Sequence, residues 1–539
     1  MKTPPLKCPG QAFAARGLLL LFSNAVCATA LHAEVKLPKV LSSHMVLQRE
    51  MAVPIWGTAT PEEKVKVEFA GQKKETAANA DGKWLVKLDP LTTSTTPRSM
   101  TVTGASGTPV TLEDILVGEV WVGSGQSNMD MLVSSYTKDD AVLEALSNGA
   151  YPNLRMISKG RPGWETSTPE TNKRFSAMLF SFGQPLQKEL DVPVGLLVGA
   201  VGGTPSGFWL SKQALEEDKP IQDAITKARA TNPFDKDPAA YEAAILKFTE
   251  DSKLYAEEFA KFQKLSEEER KTTRPPARPA KPMRAGDSTG EIGHLYELHM
   301  RPFVGYGIRG VLWDQGESGT AVTGVGQFQM MGGLLRGWRK EWGQGEFPFL
   351  YIQKPSGGGC AYDYNNPINL YANKFEKLPA VVPGDGAYRE EHIKIGTYPR
   401  TAMVIGSDLG DGIHPPCKSG YGSRAATVAL GFVYGKKVET SGPTYASQTI
   451  KDSAVHVKFT HTGDGLAFKN GDSLQGFALA GEDKKFHWAD ARIDGETVVL
   501  TSGEVPKPQF VRYAWSGRHA WANLFNKNGL PAVPFRTDE

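Results

Sequence analysis

The sequence predicts an α/β protein in which one domain built on a parallel sheet lies between two small β-sandwich-like modules. Three changes of pattern along the 539 residues support this prediction. Short apolar stretches alternate with Gly, Asp and Asn turns over residues 34–113, strands alternate with helical patterns over 114–440, and strand alternation returns over 441–539. Strands that alternate with helices are typical of a three-layer α/β/α domain, in which helices cover both faces of a parallel sheet.

Residues 1–33 have the features of a signal peptide. Basic residues precede the apolar run 17–22, and small residues at 28–33 offer cleavage sites. This run is too short to span a bilayer, and no other run approaches the roughly 20 residues that a membrane helix needs. We therefore expect a secreted or periplasmic protein without a membrane span once the signal peptide is removed.

A charged, helical and proline-rich insertion is predicted at about 211–291 of the central domain. Apolar side chains recur every three or four residues from Tyr241 to Phe262, which indicates one face of a helix. Prolines at 275–282 then end any helix. We interpret the apolar face as a packing surface, in preference to a lid or a partner-binding surface.

Ser127 is the strongest candidate for a chemical role. It lies in Gly125-Gln126-Ser127-Asn128-Met129, directly after an apolar predicted strand, where a turn would present its hydroxyl to a substrate. Met129 occupies the place of the last glycine in the G-x-S-x-G elbow, so the sequence does not fit the α/β-hydrolase pattern. A serine needs a base to take its proton before it can act as a nucleophile. The alternative role of Ser127 is to cap the following helix.

The Gly- and Pro-rich segment 408–415 offers such a base. Asp411 precedes His414 by three residues, which allows the carboxylate to orient one ring nitrogen while the other nitrogen faces the serine. Asp408 is a second acid in the same segment, and Asp411 is preferred over it. Taken alone, this spacing is also common in loops without catalytic chemistry.

Two more predicted strands end in small or polar residues. One strand, 194–201, is followed by Gly202-Gly203-Thr204-Pro205, and the other, 308–313, is followed by Asp314-Gln315-Gly316-Glu317-Ser318. The carboxyl ends of parallel strands share one edge of the sheet, and open α/β sheets bind ligands at that edge. We therefore expect these two segments to meet the Ser127 turn and the His414 loop.

The four segments together resemble the catalytic blocks of the sialate O-acetylesterase family, within the SGNH superfamily of GDSL-like hydrolases. The matching motifs are GQSNM at 125–129, GGTP at 202–205, WDQGES at 313–318 and DGIHP at 411–415. The likeness extends to 37–57 and 511–536, so it covers nearly the whole mature chain. The chain departs from the family at Asp314, where tyrosine is common.

The resemblance implies an SGNH-type three-layer α/β/α fold and a catalytic triad of Ser127, His414 and Asp411. It also implies an oxyanion hole that includes the Gly203 amide and Gln315, which replaces the asparagine of the wider superfamily. A glycine suits this place because no side chain blocks the approaching carbonyl. The alternatives are that the glycine only permits a turn and that Gln315 only holds its loop. No cofactor and no metal are expected.

The expected function is that of an exported serine esterase that removes O-acetyl groups from carbohydrate, with O-acetylated sialic acid as the first choice of substrate. An acetylesterase acting on acetylxylan or pectin is the alternative within the same chemistry. From another class, the alternative is a catalytically inactive protein that binds glycans. The sequence leaves the oligomeric state open.

Composition argues against several other classes. The 61 Lys and Arg residues nearly balance the 59 Asp and Glu residues, so the chain has no charge excess suited to nucleic acid. Cys360 and Cys417 remain after removal of the signal peptide, and they allow either one disulfide or two free thiols. Neither cysteine belongs to a zinc-binding spacing.

Overall fold

The computed structural model describes residues 35–105 and 107–538. The predicted signal peptide lies outside the described residues. Six strands precede the central sheet, and most of them alternate buried and exposed side chains. They are β1 (Val46–Gln48), β2 (Val53–Thr58), β3 (Lys64–Phe69), β4 (Gln72–Ala77), β5 (Lys83–Leu88) and β6 (Ser94–Thr103). In β5, for example, Trp84, Val86 and Leu88 point inward while the residues between them are exposed, as expected for strands that cover a core on one face.

The seventh strand, β7 (Pro109–Gly125), belongs to two parts of the molecule. Its first half pairs antiparallel with β6 and parallel with β1, where Val46 lies opposite Leu116. Its second half enters the central sheet, and every residue from Ile115 to Gly125 is buried. The predicted module boundary at residue 113 therefore falls inside a continuous strand.

The central sheet runs in the order β13-β12-β11-β7-β10-β8-β9. All neighbouring pairs in it are parallel except β8 and β9. Its other strands are β8 (Tyr151–Ser158), β9 (Glu165–Ser167), β10 (Val194–Ala200), β11 (Gly310–Asp314), β12 (Phe349–Ile352) and β13 (Thr401–Val404). The carboxyl ends of β7, β10 and β11 are neighbours in this order, which places the segments after them at one edge of the sheet.

Helices cover both faces of this sheet. They are α1 (Ser127–Asp130), α2 (Ala141–Ser147), α3 (Pro169–Lys173), α4 (Ala177–Leu190), α5 (Lys212–Glu217), α6 (Lys219–Arg229), α7 (Pro233–Lys236), α8 (Pro238–Gln263), α9 (Glu267–Thr272), α10 (Gln327–Trp342), α11 (Ala387–Ile395) and α12 (Lys418–Phe432). Trp121, Leu312 and Leu350 pack in one core with α4 and α12. Their strand neighbours, such as Val122 and Trp313, pack in a second core with α10. This alternation across the sheet confirms the predicted three-layer α/β/α fold.

The predicted insertion contains α5 to α9. The apolar face predicted from Tyr241 to Phe262 lies on α8, a single helix of 26 residues with no fully buried side chain. The Tyr255 and Phe259 rings stack on this face with centroids 5.5 Å apart. The proline-rich segment then returns to the start of the helix, where the Arg284 guanidinium lies 3.9 Å from the centre of the Tyr241 ring.

The carboxyl-terminal residues form ten short strands around a core of their own. They pair as β14-β15-β20-β19, β18-β17-β21-β23 and β16-β22. Their bounds are β14 (Thr444–Lys451), β15 (Ala454–Thr460), β16 (Leu466–Phe468), β17 (Phe477–Ala480), β18 (His487–Trp488), β19 (Asp490–Asp494), β20 (Thr497–Thr501), β21 (Phe510–Tyr513), β22 (Leu524–Asn526) and β23 (Phe535–Arg536). The additional β modules expected on either side of the parallel sheet are therefore present.

Three further features concern the described residues as a whole. Cys360 and Cys417 are both free and buried, and burial raises the pKa of each thiol to about 12. None of the helices in the described ranges is long and apolar enough to cross a membrane. Over those same ranges, no three His, Cys, Asp or Glu side chains are grouped so that they could hold a metal ion.

Candidate active site

The turn between β7 and α1 presents Ser127 at the edge of the sheet. Gly125 has φ +126°, and a Cβ at this position would collide with the carbonyl oxygen of Asp314 at the end of β11. The next amide, of Gln126, donates a hydrogen bond of 2.8 Å to that same carbonyl. Only glycine allows so close an approach, so the strand ends fix the position of Ser127 at the first residue of α1.

His414 reaches this serine from the loop before α12. Its Nε2 atom lies 2.8 Å from the Ser127 Oγ atom. A hydroxyl that donates to Nε2 requires that nitrogen to be unprotonated, which is the state of a general base. Ser127 is half-buried and His414 is exposed, so a substrate has access to the pair from solvent.

The two candidate acids have very different surroundings. Asp411 is exposed; its carboxylate accepts a 2.7 Å hydrogen bond from the Gly412 amide and lies 3.9 Å from the Arg518 guanidinium. Within the described residues it makes no hydrogen bond to the His414 ring. Asp408 is buried and accepts hydrogen bonds of 2.5 and 3.0 Å from Arg424. Asp408 is therefore committed to a buried ion pair, and Asp411 as the acid of a triad stays a prediction.

The Gly202-Gly203 turn lies against Ser127. A Cβ at Gly202 would lie 3.4 Å from the Cβ of Ser127, and Gly203 adopts φ +71°. The Gly202 amide donates to the Asp130 carboxylate at 3.3 Å. The Gly203 amide has no hydrogen-bond partner in the described part of the chain, and the Ser127 amide, at the first position of a helix, has none within its helix. Two amides beside the serine are thus available to a ligand.

Gln315 is engaged inside the protein in this structure. Its Nε2 atom donates to the carbonyls of Gly319 at 3.0 Å and Thr204 at 3.4 Å, and its Oε1 atom accepts from Gln327 at 3.0 Å. The side chain is 1% exposed. Both amide hydrogens therefore hold loops together, which is the alternative role considered from the sequence. Its role as an oxyanion donor stays a prediction.

A buried ionic network connects the serine turn to the segment that follows β11. The Lys354 Nζ atom lies 2.8 Å from the Asp314 carboxylate and 2.7 Å from the Glu317 carboxylate. Burial opposes the charge on this lysine, but the two carboxylates outweigh it and raise the pKa of Lys354. The Gln126 Nε2 atom donates a hydrogen bond to the Glu317 carboxylate, and the Gln126 Oε1 atom accepts one of 2.8 Å from the Ser318 hydroxyl. Gln126, the residue before Ser127, is thereby tied to the segment that follows β11.

A small cavity with basic walls lies beside this edge of the sheet. Its volume is about 220 Å³, and Asp130 and Ala200, which also border the Ser127 turn, form part of its wall. Lys159 is paired with Asp130 at 2.7 Å, whereas Arg161 has no ion pair among the described residues. The remaining lining residues are Leu132, Ser158, Arg174, Ser176 and Val198. Arg174 is paired with Glu165 and Glu170, each at 2.7 Å. Among the basic lining residues, Arg161 is therefore the one whose charge is available to a negatively charged group.

The architecture is that of the SGNH-type hydrolases: a parallel sheet between helices, with a serine turn at the carboxyl edge of its strands. The structure resembles the crystal structure of a carbohydrate acetylesterase from Xanthomonas citri, with a TM-score of 0.69 and 25% identity over 94% of this chain and 100% of that chain. No protein-family model matches the chain.

Curated proteins named sialate O-acetylesterase are similar to this chain. The protein from Rattus norvegicus is 27% identical over 375 residues, and the one from Homo sapiens is 32% identical over 222 residues. These alignments cover 63% and 36% of this chain, and they span 64% and 42% of the length of the relatives. The protein from Mus musculus is 25% identical over 80% of this chain and 78% of its own length. The resemblance to the sialate O-acetylesterase family is thus confirmed.

Proposed function

We propose that this chain is a carboxylic ester hydrolase that removes O-acetyl groups from carbohydrate. The observation that carries the proposal is the 2.8 Å contact between the Ser127 hydroxyl and His414 Nε2 at the open edge of the sheet. The names of the relatives, sialate O-acetylesterase and carbohydrate acetylesterase, support the same chemistry.

In the proposed reaction, His414 takes the proton of Ser127 as the serine attacks the acetyl carbonyl. The Ser127 and Gly203 amides stabilise the resulting oxyanion, with Gln315 as a further donor if its amide turns from the loop. His414 then returns the proton to the sugar oxygen, which leaves as an alcohol. Water repeats the cycle and releases acetate from the acyl-enzyme, so atoms and charges balance without a cofactor.

For the substrate, we favour an O-acetylated acidic sugar of the sialic acid type over neutral acetylxylan. The 220 Å³ cavity beside the Ser127 turn supports this choice, because Arg161 in its wall has no ion pair among the described residues and is suited to a carboxylate. The acidic galacturonate units of pectin share that carboxylate, so pectin is the second candidate. We also propose that the protein is secreted or periplasmic, on the grounds of the signal features of its first 33 residues.

A substrate panel tests this proposal. O-acetylated sialic acid should be hydrolysed with a higher kcat/KM than acetylated xylan or pectin oligomers. Methylation of the sialic acid carboxylate should raise KM by roughly tenfold or more, since a hydrogen bond to a charged group contributes about 1.5–3 kcal/mol. Arg161→Gln should reduce the difference in KM between the free acid and its methyl ester, because the variant lacks the cation that distinguishes the two.

The opposing hypothesis is an inactive glycan-binding protein. A purified chain that releases a burst of p-nitrophenol from p-nitrophenyl acetate, and loses the burst in Ser127→Ala, would exclude it. Binding of the panel sugars without any acetate release would contradict the proposed function.

A further inference from the structure

Lys418 is a buried lysine at the first residue of α12, four residues after His414. Its side chain is fully inaccessible to solvent. The Nζ atom donates 2.8 Å to the Asn128 side-chain oxygen and 2.7 Å to the Pro415 carbonyl. The Tyr136 ring lies over the same nitrogen, 4.6 Å from its centre. A lysine in such a position is costly to bury unless its donors are used, and here two of them are.

Asn128 completes the connection on the other side of the histidine. Its Nδ2 atom donates 3.1 Å to the Ile413 carbonyl, and the side chain is 1% exposed. We call these two side chains the Asn128–Lys418 brace. The brace binds the Ile413 carbonyl, before His414, and the Pro415 carbonyl, after it. The brace begins at the residue that follows Ser127, so it joins the nucleophile to the backbone of its base.

The brace does not depend on the charge of the lysine. Burial lowers the pKa of Lys418 to about 7, although the carboxylates of Asp314, Glu317 and Asp140 act in the opposite direction. A neutral amine still has two N–H groups, which are enough for Asn128 and Pro415. The two hydrogen bonds can therefore persist on either side of neutral pH.

We propose that Asn128 and Lys418 are positioning residues that fix His414 at hydrogen-bond distance from Ser127. The proposal rests on the proposed esterase function. It explains how an exposed imidazole keeps its place when Asp411 makes no hydrogen bond to it in this structure: the flanking backbone is anchored from both sides. Neither residue touches the reacting atoms; each acts on catalysis through the His414 loop.

The test compares Lys418→Met, which keeps most of the length of the side chain but has no N–H donor, with Lys418→Gln, which keeps two N–H donors on a shorter side chain. Displacement of a catalytic group by about 1 Å costs roughly a hundredfold. We therefore expect kcat for p-nitrophenyl acetate to fall about 10- to 100-fold in Lys418→Met, with KM little changed and partial recovery in Lys418→Gln. The matched control is Lys436→Met, an exposed lysine just beyond the far end of α12, which should retain the parent kcat.

Asn128→Ala provides a second variant that leaves the contact between Lys418 and Pro415 in place. It should lower kcat in the same range, and the double variant should lose less than the product of the two single losses, because the two residues act as one unit. If Lys418→Met does not fold, Asn128→Ala alone carries the test.

Folded variants with the parent kcat would overturn the proposal, and so would losses confined to thermal stability. In either case an active parent enzyme would leave the esterase function standing. A parent chain without Ser127-dependent hydrolysis would overturn both proposals.

Discussion

At the scale of single residues, the proposed reaction depends on the Ser127 hydroxyl and the His414 Nε2 atom, which lie 2.8 Å apart. Ser127→Ala should abolish turnover because no other nucleophile is held against the histidine in the described structure. We expect kcat to fall by at least about a thousandfold. The melting temperature should stay close to that of the parent, since the half-buried hydroxyl contributes little to packing. Residual hydrolysis above a thousandth of the parent rate would indicate a different nucleophile.

Substitution of the two aspartates of the His414 loop should have different effects, on kcat for Asp411 and on the melting temperature for Asp408. Asp411→Asn should lower kcat by roughly two to three decades, because Asp411 is the exposed acid of the loop and can turn toward the imidazole. This is less than the roughly 10⁴-fold effect in a complete triad, since the Asn128–Lys418 brace holds the histidine as well. Asp408→Asn should instead lower the melting temperature, because it leaves Arg424 without its buried partner. The reverse ranking in kcat would assign the orienting role to Asp408.

Which residues could be predicted from the sequence depends on where their partners lie. Ser127, Gly203 and His414 could be found because each lies in a turn or loop rich in Gly or Pro, and two of these turns directly follow predicted strands. Gln315 is predicted as an oxyanion donor for the same reason, and that role stays a prediction. Its hydrogen bonds to Thr204, Gly319 and Gln327 could not be predicted, because they depend on how three loops meet. Lys418 had no local signal, because a lysine at the start of a helix is usually exposed.

At the scale of elements, the serine turn is held by the end of β11 and by Lys354. Lys354→Met should leave the Asp314 and Glu317 carboxylates without their cation inside the protein. We expect the free energy of unfolding to fall by about 3–5 kcal/mol, the usual cost of removing one partner of a buried ion pair. Urea titration measures this change. Lys66→Met, at a partly exposed pair with Glu68 on β3, is the matched control and should change the free energy of unfolding little.

Three strands of the central sheet, which lead to Ser127, Gly203 and Gln315, could be predicted because each is an apolar run followed by a turn. The boundary at residue 113 could not, because alternation of apolar side chains does not show where a strand changes its partners. β7 leaves β6 and β1 and joins β10 and β11 without an interruption. The recurrence of apolar side chains every three or four residues predicted a helix where α8 lies. The sequence did not predict the path by which the proline-rich segment returns to the start of that helix.

At the scale of the whole molecule, buried imidazoles make the fold sensitive to acid. His392 is buried without a hydrogen-bond partner, and burial lowers its pKa to about 3. Burial also holds the pKa of His519 well below its usual range. An unfolded histidine binds a proton below about pH 6.5 while the folded one does not, so stability is present above that pH and is lost as the pH falls toward 3.

Each such histidine contributes a slope that approaches about 1.4 kcal/mol per pH unit in this window. We expect the free energy of unfolding to fall between pH 7 and pH 5, as measured by urea titration at each pH. His392→Leu should reduce the slope of the free energy of unfolding against pH by up to about 1.4 kcal/mol per pH unit, which corresponds to one bound proton. An unchanged slope in this variant would mean that His392 is protonated, or partnered, in the folded protein.

Because β7 runs without interruption from Pro109 to Gly125, we expect the amino-terminal sheet and the Ser127 turn to open as one cooperative unit. Its first half pairs with β6 and β1, and its second half pairs with β10 and β11. Protection from exchange should therefore decline together over residues 109–125 as denaturant is added, and not in two steps at the junction. We expect a substitution that stabilises the amino-terminal sheet to raise exchange protection at the Ser127 turn as well, without touching that turn.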